Sequence, residues 1–526
     1  MGFLARTALA SILQRSFALA CAEMEEQINP RIERIIECNS SQKGLVTSGI
    51  EKKQFFNDKW DGKSVLRIAI VGAGLAGLTC AYRLKQEGVI AAIYEATERV
   101  GGRCWTRRGY FKNGQVIERG GEFIDTCHRE IQELAKELGL QFDHLIKSEI
   151  MGTKPFYFFK GAPYSFDEVK NDFKQIYPKL QSDLIEAGEM TSYHSYTQRG
   201  FELDHMSITD YINEIVSGGV HSRFGKLLEV AYTIENGAAA HKQSALNLLY
   251  LLGFAQKDQF QIYGDSDECF HIRGGNDQLP ALLAKNLDGQ IQYNARLVRI
   301  TQNGPKSEVT LVFQKNGKEW EVTADKVILA IPFSILRMID YEDASFRQLK
   351  KAAIEELEMG VNTKLHVQFV KRFWNELGNN GETFTDAGSQ QTFESTRAQQ
   401  GTPGILCNFT GDETAAKQIA STNEELNEIV KKFLDKLNLV MPESHQYWNG
   451  LATVDHWLSN QWTQGSYSYW KVGQFTKFAG IAGEREGNIF FAGEHTSIKY
   501  PGYLNGAVES GERAAQEIIN AIHNKK

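Results

Sequence analysis

Arg67-Ile68-Ala69-Ile70-Val71-Gly72-Ala73-Gly74-Leu75-Ala76-Gly77 is the stretch that decides how this chain is read. An apolar run leads straight into Gly72-x-Gly74-x-x-Gly77, and residues 78–87 carry a helical pattern that stops at Gly88. A second β-like run, Ala91-Ala92-Ile93-Tyr94, delivers Glu95, 23 positions after Gly72. Strand, glycine turn, helix, strand and acid follow in the order of a dinucleotide site. The glycines let backbone approach a pyrophosphate, the helix N-terminus faces its charge, and the acid takes a ribose hydroxyl. The fold class this implies is α/β.

Outward from that stretch, 526 residues leave room for two or more domains with sizeable cores. A formal charge of −7 without a long run of either sign points away from nucleic acid and toward an ordinary soluble acidic enzyme. Mean hydropathy is −0.36, and no apolar run reaches the roughly 18 residues that a spanning helix needs. Seven cysteines (Cys21, Cys38, Cys80, Cys104, Cys127, Cys269, Cys407) are scattered without CxxC or metal-ligand spacing. That suits reduced thiols in a cytoplasm better than a disulfide scaffold. Residues 1–22 are apolar and small, and Ala18-Leu19-Ala20 resembles a cleavage site, but Gln14 and Arg15 interrupt the core a signal peptide would need. An amphipathic helix lying on the body or on a partner is the preferred reading, with residues 23–63 as helix plus linker.

After Glu95 come Arg99-Val100-Gly101-Gly102-Arg103 and Glu118-Arg119-Gly120-Gly121-Glu122-Phe123. Backbone at the glycine pair can pass close to a ligand, with Arg103 offering a forked donor. A glycine-rich loop with a surface salt bridge explains the same residues. Residues 129–270 read as a mostly helical insertion, with helices at 128–140, 207–216, 223–229 and 245–254. A helix at 279–284 and strands at 292–301, 308–313, 320–322 and 327–330 follow. A second excursion holds a helix at 345–358, a strand at 363–369, a polar stretch at 378–402 and a helix at 424–437. The chain returns at Phe490-Phe491-Ala492-Gly493-Glu494-His495-Thr496 and ends in a helix over 503–521 with small residues near its start. That helix either faces a ligand with its N-terminus or simply packs. The expected division is an extension at 1–63, a nucleotide domain from 64–128, 265–335 and 451–526, and a discontinuous α+β substrate domain from 129–264 and 336–450.

Taken together, residues 71–77, Glu95 with Arg99 and Gly101-Gly102-Arg103, residues 120–123, Arg273-Gly274-Gly275, residues 491–496 and 502–513 resemble the flavin-dependent amine oxidases, the family of monoamine, polyamine and L-amino acid oxidases. The resemblance spans residues 65–520. It implies a Rossmann-like FAD-binding domain beside the substrate domain. Gly72, Gly74, Ala76 and Gly77 would form the pyrophosphate turn, and Glu95 would hold the adenosine ribose. Val298 would pair its backbone with adenine. Gly102, Arg103, Gly121, Glu122, Phe123 and Trp457 would lie by the flavin, and Gly493 and Glu494 would reach the ribityl–phosphate portion. The helix from Leu504 would face the flavin ring. Thr97 departs from the arginine the family commonly has two places after the acid.

Three residues match the family's chemistry. Lys364 resembles the lysine that holds water against the flavin, although a lysine on an alternating strand is ordinarily a solvent-facing charge. Tyr467 and Tyr503 match the aromatics flanking the substrate amine, and each could equally be a packed core tyrosine. Ser466 stands where monoamine oxidases attach the flavin through cysteine, so FAD is expected to be non-covalent. The implied reaction is oxidation of an amine C–N bond with hydride passing to the flavin, hydrolysis of the imine, and reduction of O2 to hydrogen peroxide. A primary amine or polyamine is the expected substrate. Asp265, Asp267 and Glu268 are candidate polyamine contacts, or else a solvated loop. An L-amino acid would need an arginine, and Arg223 and Arg397 are the candidates. A flavin desaturase, an NAD-dependent dehydrogenase and a non-catalytic flavin-binding protein remain alternatives, no partner beyond a small amine and O2 is implied, and a homodimer is left open.

Overall fold

Ile68–Val71 is the central strand of a five-stranded parallel sheet, in a computed structural model that describes residues 66–523. The expected extension at 1–63 lies outside the described residues. From one edge the order is Ile489–Phe491, Lys326–Leu329, Ile68–Val71, Ala92–Tyr94 and Ile291–Gln292, and every neighbouring pair is parallel. The continuous apolar run at 68–71 follows from this placement, because a parallel sheet is covered on both faces. Ala69 and Val71 enter one core with Tyr94, Leu329 and Phe491, while Ile68 and Ile70 enter another beneath the helices Leu75–Gln86 and Leu504–His523. Those two helices touch so closely that a Cβ at Gly511 would sit 2.4 Å from the Ala76 carbonyl oxygen. Packing therefore explains Gly511 and Gly506, the latter lying against the Tyr500 carbonyl oxygen.

The strand expected over 292–301 is two strands. Asn294, with φ +59°, turns the chain out of the parallel sheet and into an antiparallel meander of Arg296–Gln302, Val309–Lys315 and Lys318–Ala324. Asparagine is among the few residues that tolerate that backbone region.

A seven-stranded mixed sheet lies beyond, in the order Trp448–His456, Asn362–Phe369, Gly404–Gly411, Gln390–Glu394, Asn379–Thr385, Lys154–Phe159 and Ala162–Tyr164. Its strands come from both excursions. The cut expected at 450/451 falls inside Trp448–His456, so that segment belongs with this sheet. Residues 378–402, expected only as a polar stretch, contribute two of its strands. Beside Phe384 and Phe393, most of their buried side chains are polar, and they are satisfied locally: Thr383 Oγ1 lies 2.9 Å from Thr392 Oγ1, and Asn408 donates to the Ser389 and Gln391 carbonyls. No apolar alternation marks such a strand. A 22-residue helix, Phe166–Ala187, opened by a capping box of Ser165 and Glu168, lies in the insertion expected to be mostly helical, at a place not singled out there. It joins Arg223–Asn236 and Ala245–Leu252 around a helical core. No helix among the described residues is long and apolar enough to cross a membrane.

Candidate active site

The carboxyl ends of the parallel strands open on one cavity of about 1060 Å³, the position at which open α/β sheets hold ligands. At one end Val71 gives way to Gly72 and Gly74. A Cβ at Gly74 would meet nothing within 4 Å, so its missing side chain leaves open space in the cavity wall. Gly74 also caps the helix Leu75–Gln86 without a side-chain hydrogen bond, leaving first-turn amides without an intrahelical acceptor. Gly77 does not line the cavity; its role is packing, since a Cβ there would lie 2.0 Å from the Gly72 carbonyl oxygen.

Glu95 lines the same end. Its Oε2 accepts the Ala73 amide at 2.8 Å, and its Oε1 accepts the Thr97 amide at 2.9 Å and the Thr97 hydroxyl at 2.8 Å. Thr97, the departure from the family pattern, therefore orients the acid from beneath. A carboxylate has about four lone-pair sites, so sites remain for ribose hydroxyls. Val298 is a correction: it does not line the cavity. A bulge between Leu297 and Arg299 takes it out of the ladder, its carbonyl accepts the Asp340 amide at 3.1 Å, and Arg296 and Leu297 line the cavity instead.

Midway, Arg103 donates from Nη1 to Glu494 Oε1 at 2.7 Å and to the Ser466 carbonyl at 3.0 Å. The pair joins the glycine-pair loop to the 493–496 turn and is largely buried, not a surface bridge. Glu494 also accepts from the Ser468 hydroxyl and the Gly502 amide. Burial opposes its charge, but Arg103, His495 and the Ser468 hydroxyl hold its carboxyl below the usual range. Gly121 is required by closeness: a Cβ there would come within 2.7 Å of Leu504 Cδ2. Trp457 donates its indole N–H to the Arg119 carbonyl at 2.8 Å, which seats its ring in the wall. Ala76, Gly102, Phe123, Gly493 and Leu504 line the cavity as well.

At the far end Lys364 Nζ lies 2.5 Å from Glu122 Oε2 and donates to the Gly120 carbonyl at 3.0 Å. Burial alone would lower the lysine pKa; Glu122 outweighs it and raises it. The alternating strand thus turns this charge inward, as its match to the family lysine implied. Tyr467 and Tyr503 are both in the wall, and they bracket Glu235: Tyr467 donates to its carbonyl, and the Tyr503 hydroxyl lies 3.5 Å from its Oε1. Burial raises both phenol pKa values well above the ordinary one, so the hydroxyls stay protonated.

Glu235 was not singled out in the sequence. It sits in the last turn of Arg223–Asn236, where a negative charge opposes the helix dipole, and that anomaly was the available signal. Burial, reinforced by Asp125, pushes its carboxyl up to about 7. Glu268 also lines the cavity, and burial with Glu382, Glu235 and Asp125 raises its pKa well above the ordinary value. Asp265 and Asp267 do not line it. Neither does Arg223, which pairs with Glu168, nor Arg397, which pairs with Glu149. A cavity running from a ribose-type acid past a glycine turn to a tyrosine pair and a buried lysine fits an extended dinucleotide with its reactive ring at the tyrosine end.

The family model of flavin-containing amine oxidoreductases matches residues 75–519. An L-amino-acid oxidase of Demansia vestigiata is 27% identical, over 91% of this chain and 89% of its own. The flavin-containing amine oxidase B of Cavia porcellus is 26% identical, over 86% of each chain. A solved putrescine oxidase, bound to putrescine, superposes with a TM-score of 0.73 at 23% identity, covering 86% of this chain and 99% of its own, which speaks for the fold. With the dinucleotide turn, the buried lysine and the tyrosine pair in one cavity, the chain belongs to the flavin-containing amine oxidoreductase family.

Proposed function

We propose that this enzyme oxidises an amine carrying a second positive charge, a diamine or polyamine, with FAD held non-covalently. The observation that carries the substrate reading is the pair Glu235 and Glu268. Both line the cavity and neither has an ion pair among the described residues, so the cavity offers two carboxyl groups, their pKa values raised by burial, that a cation would hold ionised. Leaving them buried and unpaired is unfavourable, and a charge-assisted hydrogen bond to an ammonium is worth about 1.5–3 kcal/mol. The similarity to an L-amino-acid oxidase supports a second reading, but Arg223 and Arg397 are engaged elsewhere.

Gly72, Gly74, Ala76, Glu95, Arg103 and Glu494 would hold FAD, which supplies the hydride acceptor and the electrons that reduce O2. Tyr467 and Tyr503 orient the reacting amine between their rings, and desolvation in the buried pocket disfavours its ammonium form. Glu235 and Glu268 bind the distal ammonium and so fix which carbon is presented. Lys364, held by Glu122, keeps a positive charge and an N–H at the wall and positions water there. Ser466, whose hydroxyl lies 2.6 Å from Asn362 Oδ1 and 2.9 Å from the Gly360 carbonyl oxygen, replaces any covalent attachment at that position. Cys104 is the cavity-lining cysteine among the described residues, and burial raises its thiol pKa well above the ordinary value, which leaves it unreactive. An anaerobic screen of diamines, polyamines, monoamines and L-amino acids tests the proposal. Bleaching of the yellow band by diamines or polyamines at lower concentration than by monoamines is expected; bleaching by L-amino acids alone refutes it.

A further inference from the structure

Glu268 has a φ of +49°, a left-handed backbone that a glutamate keeps only where its surroundings hold it. The group that holds it is Asp125, which is 2% exposed and does not itself line the cavity. Asp125 Oδ1 accepts the Glu268 amide at 2.9 Å, and Oδ2 accepts the Ser266 hydroxyl at 2.7 Å. Ser266 Oγ in turn lies 3.4 Å from the Tyr503 hydroxyl. His128 Nδ1 accepts the Asp125 amide at 3.0 Å, which leaves Nε2, 3.3 Å from Asp125 Oδ2, to carry the ring proton. The His128 ring meets Tyr503 edge-on, with centroids 4.9 Å apart. Backbone bonds of 2.8 Å in both directions between Ile124 and Phe270 clamp the two segments together. Asp125, Cys127 and His128 bring potential metal-ligand atoms within 4.8 Å of one another, but the Asp125 oxygens and His128 Nδ1 already have protein donors. The cluster is a brace.

We propose that Asp125, itself held by Ser266 and His128, is a positioning residue for amine selectivity: it locks Glu268 in the left-handed conformation that turns its carboxylate to the cavity. This rests on the reading that Glu268 meets a distal ammonium. Asparagine at 125 offers one acceptor oxygen to two donors, so either the Glu268 amide or the Ser266 hydroxyl loses its anchor.

The test is steady-state oxidation of putrescine and of butylamine by the FAD-loaded full chain. Asp125→Asn should raise the putrescine KM by about tenfold or more, while kcat and the butylamine KM stay within about twofold. Combined with Glu268→Gln it should add little, since no carboxylate remains to be aimed. Should Asp125→Asn fail to fold, Ser266→Ala removes one anchor and should raise the putrescine KM in the same direction by less. Equal losses on both amines, an unchanged putrescine KM, or additivity with Glu268→Gln would overturn the positioning role. A wild-type enzyme that does not prefer putrescine to butylamine defeats the distal-ammonium reading itself. A preference that survives both Asp125→Asn and Ser266→Ala defeats this inference alone.

Discussion

Glu122→Gln removes the counter-charge of a buried lysine without changing the size of the side chain. Both partners of the Lys364–Glu122 pair are 6% exposed at the side chain, and the atoms lie 2.5 Å apart. Breaking such a pair from one side leaves an uncompensated buried charge, at a cost of about 3–5 kcal/mol. For a chain of this size that corresponds to a melting point lower by about 3–5 °C. The folded-state pKa of Lys364 is raised, so the pair's stabilisation is fully present below the unfolded lysine value of about 10.4 and is lost as pH rises through the folded value. In Glu122→Gln burial acts unopposed and lowers that pKa. The variant's deficit should therefore be largest near neutral pH and narrow toward about pH 10. Glu122→Gln with Lys364→Met replaces both charges and should regain most of the loss, because apolar substitution of a buried pair is often neutral. The assay is thermal denaturation of FAD-loaded and FAD-free protein across pH. A single variant melting within about 1 °C of wild type, or a double variant melting below both singles, refutes the account.

The remaining predictions address the cofactor and the amine. Acid denaturation should release all yellow colour into the filtrate, and flavin left on the polypeptide would refute non-covalent binding. Thr97→Val removes a hydroxyl that Glu95 Oε1 accepts at 2.8 Å, so FAD affinity should fall by about fivefold, read by titration of the apoprotein; an unchanged affinity means Glu95 needs no support. Lys364→Met should slow reoxidation of the reduced enzyme by oxygen, measured by stopped flow, and an unchanged rate would remove its assigned role. Glu235, with its carboxyl pushed up to about 7, is neutral below that pH and charged above it, so the diamine KM should fall as pH rises through about 7. Monoamines should lack that limb, as should Glu235→Gln.

How much was legible depended on how far apart the cooperating residues lie. Gly72, Gly74, Glu95, Gly102 and Arg103 were readable because the turn, its helix and the acid are neighbours in sequence and each obeys a local backbone rule. Val298 failed for a local reason of another kind, a bulge that no periodicity reports. The strands Asn379–Thr385 and Gln390–Glu394 were invisible because each buries a single phenylalanine among mostly hydrogen-bonded threonines and amides, which leaves no apolar alternation. Gly77, Gly506 and Gly511 serve close packing, while Leu504 and Ala507 at the start of the last helix line the cavity.

From sequence alone come the α/β class, the dinucleotide turn and the resemblance to a flavin enzyme, all carried by contiguous motifs. Tertiary structure decided the rest. It paired Lys364 with Glu122 across 242 positions, brought the Glu235 carboxylate to Tyr503 across 268, and set Asp125 under Glu268. A carboxylate on a polar helix or loop reads as solvated until folding surrounds it. Only then does burial raise its pKa and make an ordinary acid into half of the proposed amine site.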